Sequence, residues 1–304
     1  MGEYVLETES LTKTYRGKNA VDHIDLKIRK GDIYGFIGKN GAGKTTTIKM
    51  IAGLNRPTSG SMKLFGSDNL QEGRRKIGTV IENPAIYPYL SARQNIEVQR
   101  ILKGVSDKSV TDDLINIVGL KNAGKKKAKN FSLGMKQRLA IALSLVGDPE
   151  FLLLDEPING LDPTGIKDIR ELILKLNKEA GITILISSHI LGELAKISTA
   201  YGVISEGTMT AQFTSEELKE RVKPSLTITV DDPGKTVDIL ENAVGIKDFE
   251  VNENCIHIYE MLDKSSQINA VLEQSGVVVH SLSKEQGDYE NYFIKLMEGS
   301  VNND

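Results

Sequence analysis

An α/β fold with a mainly parallel sheet core is predicted by three stretches of this 304-residue sequence. The first is Ile33-Tyr34-Gly35-Phe36-Ile37, an apolar run that reads as a buried strand and leads through a glycine-rich loop into the helical pattern Ile48-Lys49-Met50-Ile51-Ala52. The second, Phe151-Leu152-Leu153-Leu154, runs into Asp155-Glu156-Pro157. The third, Ile182-Thr183-Ile184-Leu185-Ile186, runs into Ser187-Ser188-His189. Strands apolar on both faces belong to sheets covered by helices on both sides. Strand, helix and strand in this order, joined by right-handed crossovers, build such a sheet, and ligands bind at the carboxyl ends of its strands.

Bulk composition sets limits on what the chain can be. With 39% hydrophobic and 26% charged residues it has the make-up of an ordinary globular protein, and its length predicts two domains. A formal net charge of -3 supplies no electrostatic drive toward nucleic acid, so none is expected as a partner. The single cysteine, Cys255, cannot close an intramolecular disulfide, which is consistent with a reducing compartment. No apolar stretch approaches the roughly 20 residues that cross a bilayer. Met1-Gly2-Glu3-Tyr4 lacks the charged and apolar layout of a signal peptide, so a membrane role is expected to run through another subunit.

Near the N-terminus, Tyr4-Val5-Leu6-Glu7-Thr8 and the segment from Ala20 to Ile28 alternate with period two, the pattern of a hairpin-like antiparallel unit. Between them Leu11-Thr12-Lys13-Thr14-Tyr15 places an aromatic just before the loop Arg16-Gly17-Lys18-Asn19. Tyr15 is either a flat face for a nucleobase to stack on or an ordinary strand-edge tyrosine. The loop after Ile37 reads Gly38-Lys39-Asn40-Gly41-Ala42-Gly43-Lys44-Thr45-Thr46, and its spacing fits the P-loop pattern in full. Its glycines let successive N–H groups converge on one anion, and the helix starting near Lys44 adds its positive dipole end. Lys44 can then reach the β- and γ-phosphates of a nucleotide, while the Thr45 hydroxyl can ligate Mg²⁺.

After a turn at Leu54 to Gly60, the stretch Ser61 to Gly66 is a short strand, and Ile77 to Ile81 is another that ends at Glu82-Asn83-Pro84. Leaving the sheet there, Glu82 faces either a bound nucleotide and its metal or solvent. From Ser91 to about Gly147 the pattern turns helical and charged, with a capped start at Ser91 and amphipathic spacing from Val110 to Val118. The basic cluster Lys125-Lys126-Lys127-Ala128-Lys129 reads as a solvated loop. Ser132 is a candidate N-cap for the helix through Leu143, a position that suits an anion but needs no ligand. The acids at Asp155-Glu156 are harder to explain structurally, because unpaired charge at the end of a buried strand is costly. Asp155 would hold Mg²⁺, directly or through water, opposite Thr45, and Glu156 would orient or deprotonate an attacking water. Next, Ile158-Asn159-Gly160-Leu161-Asp162-Pro163 is a tight turn into a helix with Pro163 in its first turn. His189 ends a central strand at the same sheet edge, beside the expected γ-phosphate.

Taken in order, these segments resemble the ATP-binding subunit of ABC transporters over the first two-thirds of the chain. The resemblance rests on the P-loop, the signature-like Ser132-Leu133-Gly134-Met135-Lys136-Gln137, the strand end Asp155-Glu156, the turn Asn159-Gly160-Leu161-Asp162 and His189. It implies a P-loop NTPase cassette over residues 1–213, with an antiparallel β subdomain and a helical subdomain at about 84–147 beside the parallel core. It also implies adenine stacked on Tyr15, Glu156 as catalytic base, His189 at the γ-phosphate, and ATP with Mg²⁺ sandwiched in a homodimer. Ser132 and Gly134 would reach the partner's nucleotide, and Asp162 would belong to the cross-interface turn. Two departures stand out. The family's usual signature is Leu-Ser-Gly-Gly-Gln, whereas Phe131-Ser132-Leu133-Gly134-Met135 keeps only the serine and second glycine. Glu82 stands where the family generally has glutamine; a carboxylate still ligates Mg²⁺ but adds negative charge and removes an amide donor.

Ile81-Glu82-Asn83-Pro84 together with Ser132 to Met135 is similar to bacterial exporters of bacitracin and lantibiotic-type peptides, which pair with a separate membrane permease. That similarity implies a peripheral ATPase at the cytoplasmic face of the membrane. The competing reading, a soluble ABC protein acting on ribosomes or DNA, requires two cassettes or a long coiled coil. Here the motifs occur once and no heptad run is present.

Beyond Ile204-Ser205-Glu206-Gly207 the motifs stop. Residues 214–224 read as a linker helix and 225–304 as a small α+β module. Its predicted order is β, α, β, β, α, β with strands at Ser225–Val230, Phe249–Val251, Ile256–Tyr259 and Val277–His280, then a final helix at Tyr289–Met297. That order suggests a ferredoxin-like or related unit. Cys255, His257 and His280 are too widely spaced on strands to argue for a metal site.

Overall fold

The computed structural model describes residues 3–82, 85–285, 287 and 289–298; Asn83 and Pro84, expected to lead out of the sheet after Glu82, lie outside the described residues. Two units are present, one comprising Met1–Ser215 with Phe293–Asp304 and the other Glu216–Tyr292.

The antiparallel layer of the first unit hangs on β1 (Tyr4–Tyr15), which pairs with β2 (Lys18–Ile24) through Leu11 to Tyr15 and with β3 (Lys27–Arg29) through Tyr4 to Glu7. Sequence alternation predicts one strand over 20–28 and leaves Leu11 to Tyr15 outside any strand; instead β1 is continuous and its partner is split. The split falls at Asp25-Leu26, two residues after His23, which holds φ 48° within β2. Thr8 bridges it, donating its hydroxyl to the Ile24 carbonyl at 3.0 Å and accepting the Leu26 N–H at 2.8 Å. A buried threonine thus satisfies backbone groups that a continuous ladder would have paired.

β4 (Ile33–Ile37) is buried at every position, as its apolar run predicts, and leads into α1 (Lys44–Ile51). The helix opens at Gly43, with φ 114°, where a Cβ would lie 2.7 Å from the Ala20 carbonyl oxygen, so only glycine fits. β5 (Ser59–Leu64) returns to pair with β1, and α2 (Leu70–Arg75) leads to β6 (Ile77–Val80). A helical layer follows, made of α3 (Ala92–Leu102), α4 (Val110–Ile117) and α5 (Leu133–Leu145). Its first helix starts on a capping box, in which Ser91 Oγ accepts the Gln94 N–H and the Gln94 side chain accepts the Ser91 N–H at 2.9 Å.

The chain then lays down β7 (Phe151–Asp155), α6 (Pro163–Ala180), β8 (Thr183–Ser188), the short α7 (Leu191–Leu194), β9 (Ala200–Ser205) and β10 (Thr208–Thr214). The six-stranded sheet has the order β10-β9-β4-β8-β7-β6, parallel throughout except for the β10-β9 hairpin. In this register Ile37 lies beside Ser188 and Asp155 beside Ser187, so three strand ends converge on one edge. Beneath that edge Phe36, Ile48, Phe151, Leu153 and Leu185 form a core with no solvent exposure.

α8 (Ser215–Arg221) leads into the second unit, which contains β11 (Ser225–Val230), α9 (Pro233–Ile239), β12 (Phe249–Asn252), β13 (Cys255–Ile258), α10 (Ser265–Gln274) and β14 (Val279–Glu285). Its sheet order is β12-β13-β11-β14, with every pair antiparallel, the arrangement of a ferredoxin-like unit. Leu226, Ile228, Ile256, Ile258, Ile268 and Leu272 form its core. The last strand starts at Val279 and not at the predicted Val277, because the Val277 N–H is spent closing α10 on the Leu272 carbonyl at 3.0 Å.

The final helix, α11 (Tyr289–Met297), has the predicted bounds, but from Phe293 onward the chain belongs to the first unit and not to a module running to 304. Phe293 accounts for this: it is fully buried, stacked on Phe213 of β10 at 6.1 Å and tilted against Tyr201 of β9 at 5.5 Å.

Truncating Leu153 to alanine should destabilise the first unit by about 2–5 kcal/mol through transfer and cavity costs, read as a lower urea midpoint. The exposed Leu102→Ala should stay within about 0.5 kcal/mol of the parent.

Candidate active site

The loop between β4 and α1 is backed by the β9–β10 hairpin. A Cβ on Gly38 would sit 2.5 Å from the Ile204 carbonyl oxygen, and the Gly207 N–H donates to the Ala42 carbonyl at 3.0 Å. With no room behind it, the loop must curl toward the strand ends. Lys44 is buried, and its Nζ donates to the carbonyls of Gly38 at 2.6 Å and Lys39 at 3.3 Å.

Beside the lysine, the Thr45 hydroxyl donates to Asp155 Oδ2 at 2.8 Å, and Ser187 Oγ donates to Asp155 Oδ1 at 2.6 Å. The same Ser187 oxygen accepts the Glu156 N–H at 3.0 Å. Glu156 holds a left-handed backbone, φ 50°, a conformation that costs a non-glycine residue energy and that clusters at functional sites. Its Oε2 lies 2.8 Å from His189 Nδ1 and its Oε1 lies 3.3 Å from Lys44 Nζ. Although within ion-pairing reach of the lysine, Oε1 is buried without a hydrogen bond. A desolvated carboxylate oxygen of this kind is completed by a proton donor, water or cation.

The family comes from comparison with known proteins. The chain is 42% identical to the bacitracin transport ATP-binding protein BcrA of Bacillus licheniformis over 98% of each. It belongs to the ABC transporter ATP-binding family. The profile of that family, described as ABC transporter, matches residues 21–159. Identity to the lantibiotic transport ATP-binding protein SrtF of Streptococcus pyogenes is 45%, over 67% of this chain and 88% of that one. Among solved structures, a dimeric ATP-binding cassette in a post-hydrolysis state with ADP and Pi aligns with a TM-score of 0.63 at 26% identity, covering 69% of this chain and 98% of that one. The protein is therefore an ATP-hydrolysing, ATP-binding subunit of an ABC transporter. Among the described residues no helix is long and apolar enough to cross a membrane.

Of the residues predicted for the site, the cassette brings together the loop Gly38 to Thr45, Asp155, Glu156 and His189, with Thr46 half-buried in the first turn of α1. Lys39, Asn40 and Gly41 are exposed on the rim of the loop. Ser132 and Asp162 lie elsewhere, capping α5 and α6 by accepting the N–H groups of Met135 at 3.3 Å and Gly165 at 3.0 Å. Their helix starts adjoin: a Cβ on Gly134 would lie 3.9 Å from Gly165 Cα, and one on Gly160 3.3 Å from Leu133 Cδ2. Tyr15 is 45% exposed, with its hydroxyl accepting from Asn55 at 2.9 Å and the Lys13 ammonium over its ring, 5.1 Å from the centroid.

Glu82, open from sequence between a metal-facing and a solvent-facing place, pairs with Lys49, one turn past Thr45, and its side chain is 60% exposed. A left-handed backbone, φ 57°, just beyond β6 and a lysine within reach account for that placement.

Thr45 and Asp155 place a hydroxyl and a carboxylate oxygen 2.8 Å apart next to the loop, a hard-oxygen pair that fits Mg²⁺ when waters and phosphate complete its shell. Sequence reasoning assigned no role to Ser187, whose signal was its place at the end of an apolar run. Replacing it with alanine should lower ATP turnover by about 10- to 100-fold, the range for partners that orient metal ligands. Phosphate release measured across a Mg²⁺ titration, with circular dichroism as the folding control, checks this.

Proposed function

We propose that the chain is the peripheral ATPase of an exporter, held at the cytoplasmic face of the membrane by a separate integral-membrane permease and dimerising on ATP. The exported cargo is a peptide antibiotic or a similar amphipathic compound, and export would protect the cell that carries it. The observation that carries the mechanism is the placement of Glu156 between Lys44 and His189 at the end of β7.

When a triphosphate enters, the loop N–H groups and the start of α1 receive its oxygens, and Lys44 exchanges the Gly38 and Lys39 carbonyls for phosphate. Thr45 and Asp155 would hold Mg²⁺, which neutralises charge on the β- and γ-phosphates. Freed from the lysine, Glu156 accepts the proton of the attacking water, while His189 holds the carboxylate by its Oε2 and meets the γ-phosphate. Tyr15 supplies the exposed ring for adenine.

Support for the dimer comes from the adjoining starts of α5 and α6: Ser132 and Gly134 sit at an α5 N-terminus suited to phosphate on a second subunit, and the Asp162 turn opens α6 beside it. Support for a permease comes from Ile101 and Leu102, largely exposed at the end of α3, whose neighbours Gln99 and Lys103 line a mixed polar and apolar cavity of about 330 Å³ with Leu54, Ile81, Leu143 and Ser144. The cargo class rests on the full-length similarity to the bacitracin transport protein.

Glu156→Gln should retain ATP, run as a dimer on gel filtration in its presence, and lose about 10²- to 10⁴-fold in turnover; undiminished turnover would remove Glu156 as the base. Recovery of the tagged chain in the membrane fraction together with a polytopic protein is expected, whereas co-sedimentation with ribosomes would overturn the transport reading.

A further inference from the structure

We infer that Glu298, at the far end of the chain, is a counter-ion to the phosphate-binding loop that holds ATP affinity down. The inference rests on the reading that Gly38 to Thr45 receives the triphosphate.

The segment that carries Glu298 is anchored. Phe293 and Leu296 are buried, and the Met297 carbonyl accepts the Ser205 hydroxyl at 2.8 Å. Ser205 ends β9, and Ile204 before it is the residue against which Gly38 is packed. The final turn of α11 is thereby fixed behind the loop, and the next residue, Glu298, places Oε1 3.3 Å from Lys39 Nζ. A cavity of about 630 Å³ separates the two sides, lined by Lys39, Asn40 and Gly41 on one and by Met297 and Glu298 on the other, with Glu206 also facing it.

Lys39 follows Gly38 directly, and its carbonyl is one of the two that hold the Lys44 ammonium. A cation at this position attracts a polyanion entering the loop, and Glu298 cancels it. As a structural link the pair is weak, since its side chains are 60% and 50% exposed. Its electrostatic effect on a multiply charged ligand is larger than its effect on folding, because the ligand's charges act together over a Debye length. Glu298 is thus a positioning residue that acts through Lys39.

The test uses the full chain and measures equilibrium binding of ATP and ADP, with steady-state KM and kcat. E298Q should bind ATP about two- to five-fold more tightly at low ionic strength, E298K more tightly still, and E298D like the parent, with ADP less affected. The gain should fade toward about 0.5 M salt and appear in KM without a change in kcat. E171Q, at an exposed position of α6, should leave both unchanged. Unchanged or weaker ATP binding by E298Q, with K44A still abolishing binding, would overturn the inference while leaving the loop's role intact. Parent-like binding by K44A would remove the loop's role and the inference with it.

Discussion

A carboxylate taken out of water must be met by partners, and the rest of this cassette is arranged around that requirement at the end of β7. Asp155 is buried, and its two oxygens are satisfied by Thr45 from α1 and Ser187 from β8. Glu156, next in the chain, is met by Lys44 and His189 from the same neighbours. Left unpaired, such charges cost several kcal/mol each. The parallel order β4-β8-β7 is what places the four partners within reach, since it stacks the carboxyl ends of three strands on one edge. The sheet topology and the polar cluster therefore depend on each other: a register slip of one residue in β8 would turn Ser187 away from Asp155.

Behind the cluster, support is backbone against backbone. Gly38 meets the Ile204 carbonyl and Ala42 accepts from Gly207, so the loop is braced by the backbone of an edge hairpin, with the Ile204 side chain packed against Gly38 and Gly43. Ser132 and Asp162 each close a helix start, accepting the N–H groups of Met135 and Gly165.

How much of this was legible in the sequence depended on whether the controlling contact was local. The P-loop spacing, Asp155-Glu156 at the end of an apolar run, the caps at Ser91 and Ser132, and Pro163 in the first turn of α6 are short-range patterns, and each lies where it was expected. Ser187 escaped notice because its partner is set by the pairing of strands 32 residues apart. The split between β2 and β3 was hidden for the same reason, as it depends on a Thr8 hydroxyl 16 residues away. The sequence leaves Glu82 open between a metal and solvent, because a strand-end carboxylate looks alike in both settings, and its pairing with Lys49 depends on a residue 33 positions away. The final helix was recognised as a helix, but an amphipathic pattern does not say which surface will cover it.

The residues that build this cassette are not contiguous in the chain. The aromatic group formed by Tyr201, Phe213 and Phe293 draws one member from beyond the ferredoxin-like unit, so the stretch of chain that encodes the ATPase is interrupted and then resumed. The ferredoxin-like unit is an insertion and not an appendage. A stop codon placed after β10 would strip a buried phenylalanine from the nucleotide-binding body itself, so the codons for Phe293 specify part of the ATPase's own hydrophobic core.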